Sequence, residues 1–168
     1  MTRPVIVGVM GGGSAGPKDL ADAHRLGRLI AEKGWILLNG GRNAGIMAAS
    51  AKGASEAGGV TVGILPDGDA AHAAPHIRIP IITAMGNARN AINVLSSRVV
   101  VACPGGAGTL SEIALALKVG KPVVLINFDA DLDRPPFSTH RRDGRLCRVD
   151  TPEAAIKAIE RLLGGALA

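Results

Sequence analysis

Short apolar runs, each closed by a turn signal and followed by helix-spaced residues, recur along most of this chain. Val5 to Met10 is a β-branched apolar run ended by Gly11, Gly12 and Gly13, the pattern of a strand buried on both faces of a parallel sheet. Pro17 suits a first helical turn, and Leu20, Ala23, Gly27 and Ile30 recur at helical spacing until Gly34 supplies a stop. The unit then repeats, with a strand over Trp35 to Leu38 closed by Asn39, Gly40 and Gly41, a helix over residues 44–57, and a third strand over Val60 to Leu65. A polar loop at 66–76 leads into a β-prone segment, Ile77 to Thr83, interrupted by Pro80. Ala88 to Ser97 predicts a helix, Val99 to Ala102 a strand, Pro104 to Gly108 a turn and Thr109 to Val119 a helix ended by Gly120. Val123 to Ile126 closes the run of core strands.

Residues 129–148 break the pattern: an acidic DADLD stretch is followed by Pro135, Pro136 and a cluster of Arg134, Arg141, Arg142, Arg145 and Arg148. This segment predicts a surface excursion, either a solvated loop with internal charge compensation or a lid or subunit contact. Thr151, Pro152 and Glu153 then supply an N-cap, a first-turn proline and an acid near the positive helix end, starting a helix through Ala155, Ile159, Leu162 and Leu163. Strand, glycine turn and helix in repeated alternation predict an α/β fold: a Rossmann-like, doubly wound, mostly parallel sheet flanked by helices, with right-handed crossovers. Ligands in such sheets bind outside the carboxyl ends of the strands.

Composition narrows the class. The 168 residues are close to one average domain, spanning 1–168, that buries roughly 70% of its unfolded surface. With 47% hydrophobic and 20% charged residues the chain is too apolar for disorder, and it has no uncharged stretch long enough for a membrane span. The N-terminal run lacks the long apolar region and cleavage site of a secretory signal, which predicts a cytoplasmic protein. Cys103 and Cys147 are too few for a disulfide framework and stand outside zinc-ligand spacings, so two free thiols and no metal site are expected. The net charge of +5 raises nucleic acid as a partner, but Trp35, Phe128 and Phe137 are the only aromatics and stacking platforms are scarce. The charge is then a modest attraction for small phosphorylated ligands or a solvated surface.

The chemistry concentrates in the glycine loops, since Gly supplies 23 of the residues. Gly11, Gly13 and Gly16 satisfy GxGxxG between a strand and a helix. The second strand ends in Asn39-Gly40-Gly41-Arg42 without the carboxylate that an NAD ribose requires, which disfavours NAD. Arg42 opposite a ribose phosphate leaves NADP open, beside a purely structural turn or a phosphate-facing loop over Gly11, Gly12, Gly13 and Ser14. The stronger signal is Pro104-Gly105-Gly106-Ala107-Gly108-Thr109-Leu110-Ser111-Glu112. Its clustered glycines free backbone amides to converge on one point, and the following helix adds unpaired amides and a positive dipole end, which makes a phosphate cradle. Thr109 either caps that helix or donates its hydroxyl to a phosphate oxygen. Glu112 either completes a capping box with Thr109 or points near a ribose, where it holds hydroxyls or assists glycosidic cleavage. The loop after the second strand, running from Gly40 through Gly41, Arg42, Asn43, Ala44, Gly45 and Ile46 to Met47, adjoins the cradle if the strands are parallel. Arg89 and Asn90, opening a helix, belong to the same edge, Arg89 facing the ligand or forming a salt bridge.

Three motifs, GGRNAGIM from position 40, ARN at 88–90 and PGGAGTLSE at 104–112, resemble the LOG-like Rossmann superfamily, often mislabelled lysine decarboxylase. That superfamily includes the LONELY GUY phosphoribohydrolases, which cleave cytokinin riboside monophosphates or AMP to base and ribose phosphate, and the molybdenum cofactor carrier proteins. In the hydrolases an upstream Arg-Lys pair accompanies PGGxGTxxE, and the resemblance assigns catalysis to Arg89 and Glu112. Here Asn90 stands where the hydrolases have Lys, and the preceding Met85-Gly86-Asn87-Ala88 lacks their His-Glu pair. The ARN form is similar to the carriers, which implies a homo-oligomer, a dimer or tetramer, that binds molybdenum cofactor, a phosphorylated pterin, without turning it over. The alternative is a nucleoside 5'-monophosphate hydrolase needing no catalytic cofactor. Pyridoxal chemistry is not supported, since no lysine stands in an identifiable anchoring context.

Overall fold

The computed structural model describes residues 3–132, 134–135 and 137–165. Its elements are β1 (Ile6–Met10), α1 (Pro17–Glu32), β2 (Ile36–Asn39), α2 (Gly45–Glu56), β3 (Thr61–Leu65), β4 (Ile79–Ile82), a 3₁₀ turn (Gly86–Arg89), α3 (Asn90–Ser96), β5 (Val99–Ala102), α4 (Ala107–Lys118), β6 (Val123–Ile126), α5 (Ser138–Arg142), β7 (Leu146–Val149) and α6 (Pro152–Gly165). Among the described residues seven strands form one sheet in the order β4-β3-β2-β1-β5-β6-β7, and every pairing of these strands is parallel. The chain winds outward from β1 to β4 and then returns to place β5 on the other side of β1. This is the doubly wound fold expected, and the reversal opens a crevice at the carboxyl ends of β1 and β5.

Alternation along the central strands feeds two cores. Val99 and Val101 join Val7, Val9, Leu26, Ile30, Ile156 and Ile159 on the face covered by α1 and α6. Val100 and Ala102 join Met10, Val94, Ile113 and Leu117 on the face covered by α3 and α4. Each fully buried Val, Leu or Ile contributes about 1.5–3 kcal/mol relative to exposure, so burial on both faces explains why these strands read as unbroken apolar runs. Helices α1 and α2 cross at glycines: a Cβ on Gly27 would overlap the Ser50 carbonyl, and one on Gly53 the His24 carbonyl. Pro80 sits in edge strand β4, where a missing N–H is tolerated.

Two expectations are corrected. The core strands do not end at β6, because Leu146–Val149 adds β7 beside it, with Leu146 opposite Val123 and Val149 opposite Ile126. The strand was hidden by Arg148, whose guanidinium bonds the carbonyls of Phe128 and Ala130 and so closes the segment back on itself. The rest of the 129–148 excursion includes α5 and the acid pairs of Arg134 with Asp131 and Arg145 with Asp143; Asp133 and Pro136, named within it, lie outside the described residues. Second, α4 begins at Ala107 with Gly106 as its N-cap and no side-chain cap, so Thr109 is inside the first turn and forms no capping box with Glu112. The Thr151 cap does form, its hydroxyl oxygen accepting the Ala154 N–H at 3.2 Å. No helix of the described residues is long and apolar enough to cross a membrane.

Candidate functional site

Pairing between β1 and β5 continues past the strands. The Gly12 N–H donates to the Pro104 carbonyl at 2.9 Å, which holds the first glycine loop against the PGGAGT loop. Gly105 has no room for a side chain, since a Cβ would overlap the Thr109 hydroxyl. Gly106 and Gly108 differ: nothing lies within 4 Å of where their Cβ would be. Neither has a positive φ. Neither packing nor backbone strain within the chain therefore demands glycine at these two positions, and both face a cavity of about 220 Å³.

That cavity is lined by Gly11, Gly12 and Gly13 after β1, Gly40 after β2, Met47 of α2, Asn87 and Arg89 of the 3₁₀ turn, Asn90 of α3, and Gly106, Gly108, Thr109 and Glu112 of α4, with Val9 and Met10 at its base. Unsatisfied amides at the start of α4 and its positive dipole end favour an anion there. Asn39, fully buried, sets the neighbouring loop: its amide donates to the Met47 carbonyl at 2.9 Å and accepts the Gly41 N–H at 2.8 Å, with Gly41 at φ +77. The 3₁₀ turn hangs from the end of β3 through the Ala84 N–H to the Asp67 carbonyl and the Gly86 N–H to the Pro66 carbonyl.

Arg89 and Glu112 form the floor. Their side chains are 13% and 7% exposed, and Nη1 stands 4.0 Å from Oε1, too far for a hydrogen bond. Arg89 Nε is buried with no hydrogen-bond partner among the described residues. Glu112 accepts a bond from the Asn93 amide at 2.8 Å, and Asn93 is itself fully buried with its Oδ1 unpartnered. Burial pushes the Glu112 carboxyl above its ordinary value, against the Asn93 bond and the Arg89 charge, and burial likewise lowers the Arg89 value. The pair is thus a desolvated cation and acid that do not fully satisfy one another. A Cβ on Gly40 would overlap the Arg89 guanidinium and the Met47 sulfur, so a side chain there would displace both from their present positions.

The expected residues divide four ways. Gly11, Gly12, Gly13, Met47, Arg89, Asn90, Gly106, Gly108, Thr109 and Glu112 meet in the cavity. Pro104, Gly105 and Ala107 build its backing loop without lining it, and Gly41 serves through its backbone. Ser14, Asn43 and Gly45 line a second cavity beyond Gly13. Arg42, expected in the loop adjoining the cradle, turns outward, donating to both Asp67 oxygens at 2.5 and 3.1 Å, and does not line the first cavity. Gly40, of the loop expected to adjoin the cradle, also lines the cavity; sequence reasoning missed Asn87 and Asn93, and neither carried a local signal. Cys103 is buried, its thiol pushed up to about 12, and both cysteines are free. Among the described residues no group of His, Cys, Asp and Glu has the makings of a metal site.

A family profile described as the SLOG cluster4 family matches residues 4–156. The solved molybdenum cofactor binding protein from the phototrophic bacterium Rippkaea orientalis superposes with a TM-score of 0.89 at 46% identity, over 97% of this chain and 99% of that one. The molybdenum cofactor carrier protein from Chlamydomonas reinhardtii superposes with a TM-score of 0.87 at 43% identity, over 96% and 99% of the two chains. A cytokinin riboside 5'-monophosphate phosphoribohydrolase from Rhodococcoides fascians is 32% identical over 126 residues, 69% of this chain and 63% of that protein.

Proposed function

The chain belongs to the SLOG cluster4 family, and on that premise we propose that it is a carrier-type binding protein for a phosphorylated pterin, with molybdenum cofactor as its ligand. The observation that carries this reading is the open cradle: glycines 106 and 108 leave empty space under the start of α4, beside a buried guanidinium with an unpartnered donor. In this reading the phosphate accepts from the α4 amides and the Thr109 hydroxyl, while Arg89 supplies the positive charge and its free Nε–H. Glu112 accepts a donor from the ligand beyond the phosphate. The residues fit the phosphate of such a group. Similarity to molybdenum cofactor proteins along nearly the whole chain supports the choice of pterin over nucleotide.

A second reading, hydrolysis of a nucleoside 5'-monophosphate, is favoured by one observation: Glu112 is a buried carboxyl with a raised proton affinity in the same cavity as Arg89. There it would orient water or stabilise oxocarbenium-like charge while Arg89 holds the substrate. One experiment separates the two. Purified protein is titrated with molybdenum cofactor and, in parallel, incubated with AMP and chromatographed for free base and ribose 5-phosphate. The carrier reading expects cofactor binding that Gly106→Asp abolishes in a folded protein, and intact AMP. Base release lost in Glu112→Gln establishes the hydrolase instead. The proposal extends to one cytoplasmic domain without a nucleic-acid partner that assembles as a dimer or tetramer. Assembly is supported by Ile79, Ile81 and Ile82 of edge strand β4, and by Met85 and Leu95, all exposed on the single chain.

A further inference from the structure

We propose that the ligand is held in two adjoining cavities, its phosphate in the cradle and its planar heterocycle in a second cavity between the first turns of α1 and α2. This rests on the phosphate-site reading above and adds to it the site that selects the rest of the molecule. Size makes the first argument. The cradle cavity is about 220 Å³, below the roughly 300–1,000 Å³ of pockets that enclose small ligands. A phosphorylated pterin or nucleotide must extend beyond it. The second cavity, of about 580 Å³, lies inside that range.

Continuity makes the second argument. Gly13 borders both cavities, and the nearest atom to its missing Cβ is the Ala44 methyl, at an ordinary contact of 3.7 Å. The Gly12–Gly13 backbone packs against the start of α2, where the Ile46 N–H donates to the Gly12 carbonyl at 3.0 Å and a Cβ on Gly45 would overlap that carbonyl, so a ligand reaching from the cradle to the second cavity passes over this loop. Beyond it, Ala48 and Ala49 on α2 and Ala44 before it present methyl groups, with Leu20 of α1 across from them. Such a low apolar wall suits the face of a ring system, while Asn43 and Ser14 bring polar groups to its edge. The far wall, at Pro75 and His76, is fixed in place. The His76 carbonyl accepts the Thr61 hydroxyl at 2.6 Å, and the Ala74 N–H donates to the Gly41 carbonyl at 2.8 Å.

Charge makes the third argument. Lys52 lines the second cavity, and its side chain is 54% exposed, with its ammonium only loosely paired with Glu56, at 3.9 Å. It is available to an acidic or carbonyl substituent at the end of the heterocycle remote from the phosphate. The ligand class is thus a planar heterocycle with a phosphate at one end and an electron-rich edge at the other.

The test uses two probes on the intact chain, molybdenum cofactor for the whole ligand and orthophosphate as its competitor for the cradle alone. Ala48→Phe fills the second cavity from α2 and should weaken cofactor binding at least about tenfold, with orthophosphate competition unchanged. Lys52→Glu, a surface change that carries little folding risk, should weaken it about fivefold with the same competition. Gly106→Asp should lose both probes. Wild-type cofactor affinity in both cavity variants, with loss in Gly106→Asp, overturns the second cavity and leaves the cradle standing. Equal loss of both probes in Lys52→Glu also overturns it, since a heterocycle site does not touch orthophosphate. A wild-type protein that binds neither probe fails the phosphate-site reading, and this proposal falls with it.

Discussion

Two arginines meet carboxylates at the ligand edge of the sheet under opposite conditions. Arg42 and Asp67 stand on the rim, 46% and 22% exposed, with both carboxylate oxygens bonded at 2.5 and 3.1 Å. That hydrogen bonding holds Asp67 below and Arg42 above its usual value. Arg89 and Glu112 lie on the floor, nearly buried and 4.0 Å apart, and burial drives each toward its neutral form. An exposed pair gains little because water already solvates both partners. A buried pair that stops short of contact leaves the desolvation of two charges only partly offset. The rim pair is complete in itself, whereas the floor pair lacks a third group, and an anion beside Arg89 is the group that fits.

The largest effect should come from the floor cation. Arg89→Met keeps the apolar stem, removes the charge and leaves Glu112 without its counter-charge, so affinity for molybdenum cofactor should fall roughly a hundredfold. Isothermal titration at fixed ionic strength measures it. A loss of only a few fold would mean that the α4 amides alone hold the phosphate, and the contrast between floor and rim would lose its functional meaning.

A smaller effect, but one that reports the floor directly, concerns pH. Glu112 holds its proton above the ordinary carboxyl value of 4.5 in the folded chain. Between the unfolded and folded values the folded state binds more protons, so stability falls as pH rises. The contribution is full below the unfolded value and lost as pH passes the folded one. Asn93→Leu removes the donor that favours the ionised form, so the Glu112 midpoint should move further up, read by carbon-13 NMR of its carboxyl. Thermal melting should then decline over a wider window starting from the same acid limit. An unmoved midpoint would make Asn93 a packing residue only.

The difference between rim and floor was only half visible in the chain itself. Apolar runs at β1, β2, β3, β5 and β6, with glycine turns after β1, β2 and β5, carried the doubly wound fold because strands buried on both faces leave no choice but apolar residues. PGGAGT carried the cradle for a similar reason, since converging amides need residues without side chains. The contacts that set the floor have no such local signature. Asn93 reaches Glu112 from another helix, and the guanidinium that lies against Gly40 comes from the 3₁₀ turn. Arg42 misled for the same cause: its partner Asp67 comes from the loop after β3. Edge strand β7 was obscured by Arg148, whose partners, the Phe128 and Ala130 carbonyls, come from a distant part of the chain.

The smallest expected effect lies at the rim, and it is the sharpest control on the comparison. Arg42→Met removes the same charge as Arg89→Met from a position a short distance away, so a purely long-range attraction for the ligand would weaken similarly in both. If contact and desolvation decide, Arg42→Met should change cofactor affinity by no more than about twofold, because its guanidinium is solvated and already spent on Asp67. Raising the salt concentration should erase even that residue of effect while leaving most of the Arg89 loss, since screening acts on exposed charges far more than on buried ones. Equal salt-sensitive losses in the two variants would instead assign recognition to the overall positive field of the chain, and the buried floor would be reduced to part of the fold.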